Sequence, residues 1–368
     1  MKHHSKKIIT GSALLLTGIC AHAQFTAGDL VVLQDGTGSS TLTSAGTAIF
    51  LDEFNTSGGA VTSVAIPSTG ANALVNSGTA TSEGLISLSA DGQSIVVAGY
   101  NTIAGTASVA SSSTTTVPRA VATVNFNGNY TLQSTTTAFS GNNIRSGTTD
   151  GSGNFWAAGA NSGIFYMGSG TPTAVSTNSA NNRLVSDIGG NLFFSTGSGT
   201  ARGIYEIPGT PTSGLVTPVN IINSSTLGSA SPYGFAFNSS MTIAYVADSD
   251  AYTTSTGFGG VEKWAFNGTS WAFQYSLPTV GSGAEGLAVD FSGTDPIIYA
   301  TSGDGKDLFD ITDTGSGATA NLLDAAGSNE AFRGLTFAPV AVPEPSVLAL
   351  LAAGSPAASW LLRRDRKA

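Results

Sequence analysis

Six polar residues head copies of one short recurring pattern and are the best candidates for chemistry in this sequence. Five of the copies join an apolar run, a turn rich in Asp, Asn or Gly, and a second apolar run, whereas the sixth has only the first run. The first residues of the copies are Glu83, Asn142, Asn182, Tyr233, Glu285 and Arg333. If the copies surround one axis, these side chains converge and could bind a small polar ligand or a hard cation such as Ca²⁺. The alternative is a polar channel in which the side chains satisfy one another and ordered water.

Acidic residues in two other places could also surround Ca²⁺. Asp248 and Asp250 flank Ser249 between an apolar run and a Gly/Thr-rich loop, and Asp304, Asp307, Asp310 and Asp313 recur at every third residue. Neither set has the length or the terminal bidentate Glu of an EF-hand loop. Capping of turns by Asp is the alternative role. No other cofactor is predicted.

The central part of the chain lacks the residues on which most enzymes depend. His3, His4, His22 and Cys20 are the only histidines and the only cysteine, and all lie within the first 23 residues. A body spanning 24–341 can therefore form no disulfide, no imidazole or thiolate metal site, and no catalytic unit built on His or Cys. We predict no catalytic residues. The alternative is a glycan-active enzyme using Glu83 and Glu285, since glycoside cleavage needs two carboxyls about 5–10 Å apart.

The charge of the body excludes a role in binding nucleic acid. Residues 24–341 carry 7 Lys or Arg against 21 Asp or Glu, which gives a net charge of −14. Phosphate backbones are bound by clustered Lys and Arg, so such a surface repels them.

The elements that position these residues are predicted to be many short β-strands. Runs rich in Val, Ile, Phe and Tyr alternate with Gly, Asn, Asp and Ser clusters, and no segment keeps a period of 3.6 residues. Examples are Leu30–Leu33, Ser94–Ala98, Ala120–Val124 and Ile243–Val246. Ser/Thr-rich stretches at Ala107–Thr116 and Thr171–Asn182 are interpreted as exposed loops.

The spacing of the copies predicts a six-bladed β-propeller. The six first residues are separated by 59, 40, 51, 52 and 48 residues, close to the roughly 40–50 of four-stranded blades. The last copy, Arg333–Ala338, stops after one strand, whereas the chain opens at Leu30 with a second blade strand. These two pieces can complete one blade and close the ring. Seven blades, a β-sandwich or a β-solenoid are the alternatives.

The body resembles propeller-like modules without an assigned activity that occur in secreted and surface-attached bacterial proteins. The stretches that carry the resemblance are Leu30–Phe54, Ser82–Tyr100 and Gly141–Gly147. The resemblance implies the same architecture and brings no activity with it.

The N-terminal segment predicts export. Lys2, Lys6 and Lys7 precede the apolar run Ile8–Ile19, and Ala21 and Ala23 supply the small residues that signal peptidase requires, so cleavage is expected before Gln24. A lipoprotein acylated on Cys20 is the alternative, although Ile19 stands where a lipobox needs a small residue.

The C-terminal segment 342–368 resembles the PEP-CTERM sorting signal of Gram-negative bacteria. Pro343, Glu344 and Pro345 are followed by the 16-residue apolar run Val347–Leu362 and a basic end that includes Arg363 and Arg364. The run predicts a short transmembrane helix, shorter than the usual span of about 20 residues. Basic residues are retained on the cytoplasmic side, which leaves the body outside.

The resemblance implies recognition by an exosortase, at least transient anchoring in the inner membrane, and a final location at the cell surface or in the extracellular matrix. A plain membrane anchor is the alternative.

Together these features favour a non-catalytic exported protein whose propeller presents loops to polysaccharide or protein partners. The alternatives are the glycan-active enzyme described above and a ligand-binding module stabilised by Ca²⁺.

Overall fold

The computed structural model describes residues 24–168, 171–176, 180–255 and 257–341. The predicted signal peptide, and the predicted sorting motif with its apolar helix and basic end, lie outside the described residues.

The described residues form 26 strands. In chain order the first thirteen are β1 (Leu30–Asp35), β2 (Gly46–Thr47), β3 (Ile49–Phe54), β4 (Ala60–Ala65), β5 (Asn76–Ser77), β6 (Ser87–Leu88), β7 (Ser94–Tyr100), β8 (Arg119–Asn125), β9 (Tyr130–Thr136), β10 (Ile144–Thr149), β11 (Phe155–Gly159), β12 (Ile164–Tyr166) and β13 (Thr173–Ser176). The other thirteen are β14 (Asn182–Ile188), β15 (Asn191–Thr196), β16 (Gly203–Ile207), β17 (Val219–Asn223), β18 (Pro232–Phe237), β19 (Ile243–Thr253), β20 (Phe258–Phe266), β21 (Trp271–Leu277), β22 (Ala284–Asp290), β23 (Ile297–Ser302), β24 (Asp307–Thr312), β25 (Ala320–Ala325) and β26 (Ala331–Phe337).

These strands build six four-stranded antiparallel sheets, which confirms the predicted six-bladed propeller. From the innermost strand outwards, the blades are β26-β1-β3-β4 (blade 1), β6 to β9 (blade 2), β10 to β13 (blade 3), β14 to β17 (blade 4), β18 to β21 (blade 5) and β22 to β25 (blade 6). A two-stranded ribbon of β2 and β5 lies beside blades 1 and 2.

Burial changes across each blade, and the sequence of the strands follows it. The innermost strand β10 is buried on both faces, and so is β22 except at its last residue. The outermost strands β9 and β21 alternate between half-buried and exposed residues over most of their length, because only one face packs on a neighbouring blade.

The core consists of apolar layers between neighbouring blades. One cluster joins blades 1 and 2 through residues such as Val31 and Ile95, another joins blades 3 and 4 around Trp156 and Phe194, and a third joins blades 1 and 6. Each blade therefore needs two neighbours to bury its faces, so the stability of the fold depends on closure of the ring.

Closure occurs in blade 1, where the last strand of the body pairs with the first. Leu30 lies opposite Phe337 and Val32 opposite Leu335 in the antiparallel pair of β1 and β26. This confirms the predicted pairing and leaves neither strand with an open edge at the seam. Every blade and the closing pair lie within 24–341, so this segment contains all the contacts that the propeller needs and can be studied by itself.

Helical structure is minor in the described part of the chain. Three short 3₁₀ helices occur, at Val109–Ser111, Gly199–Ala201 and Ser224–Leu227. Among the described residues, no helix has the length and the apolar character needed to span a membrane.

The two stretches interpreted as exposed loops are more structured than expected. Within Ala107–Thr116, Val109 and Thr114 are buried, because this segment folds over the guanidinium of Arg119, which donates to Ala110 O at 2.9 Å. The stretch Thr171–Asn182 contributes β13, the outer strand of blade 3, with Val175 buried. Neither the buried segment around Arg119 nor strand β13 could be recognised from the sequence, because a Ser/Thr-rich composition is typical of exposed loops.

Replacing Leu335 tests the closing pair. Leu335 is 3% exposed in the layer between blades 1 and 6, whereas Leu322 on the outer strand β25 is 55% exposed. We expect Leu335→Ala to lower the free energy of unfolding by about 2–5 kcal/mol, and the control Leu322→Ala to change it by less than about 0.5 kcal/mol. Urea denaturation of residues 24–341 measures both values; equal effects of the two variants would contradict the observed seam.

Candidate functional site

A β-bulge recurs at the same depth in five of the six innermost strands. In each strand one extra residue interrupts the pairing with the second strand of the blade. Such a bulge turns a side chain out of the regular alternation of the strand. The polar residues placed at these bulges, hereafter the bulge ring, are Arg145, Arg183, Tyr233, Glu285 and Arg333.

Gly84 occupies the sixth position of the ring. The Gly84 carbonyl accepts from Gly334 N of blade 1 at 3.0 Å, and the next residue donates from Leu85 N to Arg145 O of blade 3 at 3.1 Å. These two residues therefore link blade 2 to both of its neighbours. A Cβ atom on Gly84 would lie 3.0 Å from the Cβ of Arg333, and its φ is +75°. A side chain is therefore disfavoured at this position.

The bulge ring differs from the six residues aligned from the sequence. Tyr233, Glu285 and Arg333 are placed as expected. In blades 2, 3 and 4, however, Gly84, Arg145 and Arg183 occupy the positions assigned to Glu83, Asn142 and Asn182. The start of each apolar run does not reveal where a bulge lies, and the alignment slipped for this reason.

The three displaced residues have structural roles beside the ring. The Glu83 carboxylate accepts from Ser77 N at 2.8 Å, from the Tyr100 hydroxyl at 2.5 Å and from the Asn143 amide. The Asn182 amide donates to Ser162 O at 2.9 Å.

The carbonyl of Asn142 accepts two bonds from Arg119, at 2.9 and 3.3 Å. The displaced residues thus join blades and connecting segments, and Glu83 has no free oxygen for a ligand.

Two of the three arginines of the ring, Arg183 and Arg145, are held by the blade that follows them. Arg183 Nη1 donates to Pro232 O at 2.9 Å, and its guanidinium carbon lies 3.7 Å from the centre of the Tyr233 ring. Arg145 Nη1 donates to the side chain of Asn181 at 2.5 Å and to Asn182 O at 3.3 Å.

Arg333 follows a different route, because its Nε donates to the buried Asp35 at 3.1 Å and forms an ion pair. All three guanidinium groups are therefore fixed in orientation before any ligand arrives.

Burial sets the protonation of Glu285. Desolvation raises the pKa of Glu285 to about 8, and Arg333, Arg183, Tyr233 and Arg145 offset only part of this effect. Burial, and then the charge of Glu285, also raises the pKa of Tyr233 to about 12. At neutral pH most Glu285 side chains are therefore protonated, and the charge of the ring is that of its arginines.

The carboxyl groups of Glu83 and Glu285 do not behave as a pair. Burial raises the pKa of Glu83 to about 7, while hydrogen bonds from Tyr100, Ser77 and Asn143 oppose the rise. The largest charge effects on Glu285 come from arginines rather than from a carboxylate. Neither carboxyl is among the main groups that shift the pKa of the other, so nothing in their electrostatics indicates the paired carboxyls that glycoside cleavage needs.

Asp248 and Asp250 hold a turn rather than a shared site. Asp248 is buried, and its Oδ1 accepts from Ser231 N and Asp250 N, both at 2.9 Å. Asp250 accepts from the Ser229 hydroxyl at 2.8 Å.

Asp248 also interacts with Glu262, a buried residue that the sequence analysis did not single out. Burial, followed by the charge of Asp248, raises the pKa of Glu262 well above its usual range. Within the described ranges, no group of three or more acidic, His or Cys residues is suited to hold a metal ion.

The four aspartates spaced by three residues have different partners, although Asp304 lies near enough to help raise the pKa of Asp307. Asp304 accepts from the Ser302 hydroxyl at 2.7 Å within a turn. Asp313 accepts from Lys263 at 2.7 Å and from Tyr275 at 2.8 Å, and so ties blade 6 to blade 5. Asp304 precedes β24, Asp307 and Asp310 lie within it, and Asp313 follows it, so the four side chains are spread along the strand rather than gathered around one ion.

The opposite end of the central channel has a mixed lining of apolar side chains and a few polar ones, Ser186 among them. A cavity of about 400 Å³ lies between the C-terminal halves of the innermost strands, with Leu184, Phe235, Leu287 and Leu335 in its wall. The lining of the channel thus changes from arginine-rich to mixed apolar and polar over a few residues along each strand.

A second concave site, which the sequence analysis missed, lies between blades 4 and 5. This aromatic cleft has a volume of about 540 Å³; its lining includes Phe193, Glu206, Val219, Asn220, Phe266, Thr269 and Trp271. The indole of Trp271 packs 5.7 Å from the ring of Phe266 and 5.5 Å from that of Phe237. The alternation of Trp271, Phe273 and Tyr275 along β21 was the sequence signal that could have revealed it.

Comparisons with known proteins assign no family to this chain. No family model matches it, and no curated protein matches it. Among solved structures it is similar to a protein from Bacteroides fragilis NCTC 9343 that is provisionally named 6-phosphogluconolactonase, at 15% identity over 81% of this chain and 82% of that one, with a TM-score of 0.47. It is also similar to a periplasmic gluconolactonase of Pseudomonas aeruginosa, at 14% identity over 81% and 83%, with a TM-score of 0.42. Likenesses this distant carry no conclusion about activity.

The raised pKa of Glu285 makes stability depend on pH. The native state keeps a proton on Glu285 up to about pH 8, whereas the unfolded chain releases it near pH 4.5, so stability falls as the pH rises between these values. We expect Glu285→Gln to reduce this slope by up to about 1.4 kcal/mol per pH unit. Urea denaturation from pH 5 to 8 measures the slope. An unchanged slope in Glu285→Gln, equal to that of the half-exposed control Glu206→Gln, would contradict the assignment.

Proposed function

We propose that this protein is an exported, non-catalytic protein of the cell surface or extracellular matrix that binds neutral polysaccharide through the aromatic cleft. The observation that carries the proposal is the cleft itself, since it combines a half-exposed indole with polar groups in a concave surface between two blades. Ligand sites commonly have such a mixture of aromatic walls and a few placed polar groups.

The chemistry of the cleft suits a sugar chain. The faces of Trp271 and Phe266 can cover the apolar C–H face of a pyranose ring, while Glu206, Asn220 and Thr269 can bond to its hydroxyls. The Asn220 amide nitrogen is held by the Tyr205 hydroxyl at 3.1 Å, which leaves its carbonyl oxygen for a ligand. The net charge of −14 for 24–341 favours a neutral polymer over an acidic one.

The sequence of both termini supports the location. Signal peptidase would release the body at Ala23, and an exosortase would recognise Pro343–Pro345 while the apolar run holds the chain at the inner membrane. The 24–341 body then reaches the cell surface or matrix with its cleft facing the medium.

A glycan-active enzyme is the second candidate, and one observation favours it. Glu285 is 2% exposed and has its pKa raised to about 8, which is suitable for a general acid. No second carboxyl faces it in the bulge ring, so the geometry supports binding better than cleavage. A calcium-stabilised module has less support, since Asp248 and Asp250 are engaged in a turn.

Replacing Trp271 tests the cleft. We expect Trp271→Ala in 24–341 to weaken the binding of a neutral oligosaccharide at least tenfold, because it removes the largest stacking surface. Isothermal titration calorimetry with cellohexaose, xylohexaose and laminarihexaose measures the affinity. Ile103→Ala, at a residue that is 52% exposed and far from the cleft, is the matched control and should bind like the parent protein.

Two results would count against this assignment. Saturable binding that is equal in Trp271→Ala and Ile103→Ala would move the site elsewhere on the propeller. Shortening of the oligosaccharides by the parent protein but not by Glu285→Gln would favour the enzyme. Because Trp271 also packs on Phe237, Asn220→Ala provides a second variant that keeps the aromatic layer intact.

The mass of the exported protein tests its processing. We expect a species that begins at Gln24 and has lost the residues after the Pro343–Pro345 motif, as measured by intact-mass spectrometry of protein from the culture medium or cell surface. A species retaining Arg363 and Arg364 would indicate a permanent anchor, and a species retaining residues 1–23 would contradict export by signal cleavage.

A further inference from the structure

We propose that the bulge ring binds a small anionic group, a carboxylate or a phosphate, at the arginine-rich end of the central channel. This site is separate from the aromatic cleft and rests on different residues, so either proposal can fail without the other.

The first argument is the concentration of positive charge. Only seven Lys or Arg occur in 24–341, and three of them, Arg145, Arg183 and Arg333, lie in the bulge ring. Each is less than one-tenth exposed. In a body with a net charge of −14, this is where an anion is attracted, because burial in a channel strengthens the interaction.

The second argument is that two of these three arginines, Arg145 and Arg183, lack an anionic partner. Across the described ranges the ion pairs are Lys263–Asp313, Lys306–Asp304 and Arg333–Asp35, so neither Arg145 nor Arg183 has a carboxylate within 4 Å. A buried guanidinium without a counter-ion is costly. An anion in the ring would remove that cost.

The third argument is the presence of unused donors. Arg145 Nε, Arg183 Nε and Arg333 Nη1 are buried and have no hydrogen-bond partner. Buried polar groups are nearly always satisfied, and those that are not often mark a ligand site. Three unsatisfied guanidinium donors on strands around one channel are suited to the several lone pairs of a carboxylate or phosphate.

The arginines are also pre-organised. The stacking of Arg183 on Tyr233 and the bonds from its Nη1 and from Arg145 Nη1 to the next blade hold the two guanidinium groups in place. Little side-chain entropy is then lost when an anion binds. The surrounding acidic surface limits access by long polyanions, so the proposed ligand is small.

Glu285 makes the site sensitive to pH. The groups that act on its carboxyl are Arg333, Arg183, Tyr233 and Arg145, and its pKa is about 8. Below that pH the neutral carboxyl tolerates an anion in the ring and can donate a hydrogen bond to it. Above that pH the carboxylate repels the anion, so binding weakens as the pH rises from 7 to 9.

Isothermal titration calorimetry of 24–341 in chloride buffer tests the proposal with two probes, inorganic phosphate and glucuronate. We expect one saturable site for at least one probe, and its identity distinguishes a phosphate from a carboxylate source. Arg183→Gln and Arg145→Gln should each weaken binding at least tenfold. The matched control Arg202→Gln, which removes a surface arginine bonded to Gly228 O, should bind like the parent protein.

The pH arm compares pH 7 and pH 9, with Glu285→Gln alongside, and uses a probe whose own charge is constant over this range: glucuronate or, where phosphate binds better, its analogue sulfate. Affinity should fall with pH in the parent protein and stay constant in the variant. If Arg183→Gln does not fold, as judged by circular dichroism, Arg183→Lys keeps the charge and removes Nε, and should still weaken binding several-fold. Absence of saturable binding by both probes, or equal affinities in Arg183→Gln and Arg202→Gln, would overturn the proposal.

Discussion

The pairing of β26 with β1 is the interaction on which the rest of the structure depends. Each blade buries its two faces against two neighbours, so an open ring would leave two apolar faces and two strand edges in water. The seam joins residues that are about 300 positions apart in the chain, Leu335 and Val32 among them. Its formation therefore comes at a high cost in chain entropy that only the completed set of inter-blade layers can offset. Closure also creates the channel, and with it the low-polarity surroundings in which the bulge ring lies.

The bulges show how a regular scaffold is adapted for polar residues. An innermost strand is buried on both faces, so a long charged side chain at a regular position there would have to enter the layer between two blades. The extra residue at the bulge lets a charged or phenolic side chain leave that alternation without disturbing the strand beyond it. Glycine often follows, as in Gly234, Gly286 and Gly334, where a Cβ would lie 2.4–2.7 Å from the backbone of the next blade. The polar ring and the tight contact between blades are thus two results of one local irregularity.

The sequence was sufficient for the architecture because strand number, spacing and edge completion are properties of the chain itself. The sequence revealed the six copies from their spacing. It also revealed the seam, because the first blade lacks its innermost strand and the last copy consists of that strand alone. It could not locate the bulges, because Arg145 and Arg183 look like ordinary residues at the start of an apolar run, and the alignment therefore chose Asn142 and Asn182.

The aromatic cleft was missed for another reason: Phe193, Asn220 and Trp271 come from different blades, and only their packing brings them together. The interpretation of Ala107–Thr116 as a solvated loop failed because one buried arginine, Arg119, organises it.

Burial divides the charge of this protein into an inner and an outer part. Desolvation raises the pKa of Asp35, Glu83, Glu262 and Glu285, so the interior is less negative at neutral pH than its formal count of carboxylates suggests. The arginines of the bulge ring keep their charge under the same burial, because a guanidinium does not lose its proton at accessible pH. The innermost ring is consequently positive while the surface is acidic, a separation that a closed ring of blades can maintain because each arginine of the bulge ring is less than one-tenth exposed. Such a distribution favours a small anion in the channel and an uncharged polymer outside, which is why we assign the two sites different ligands.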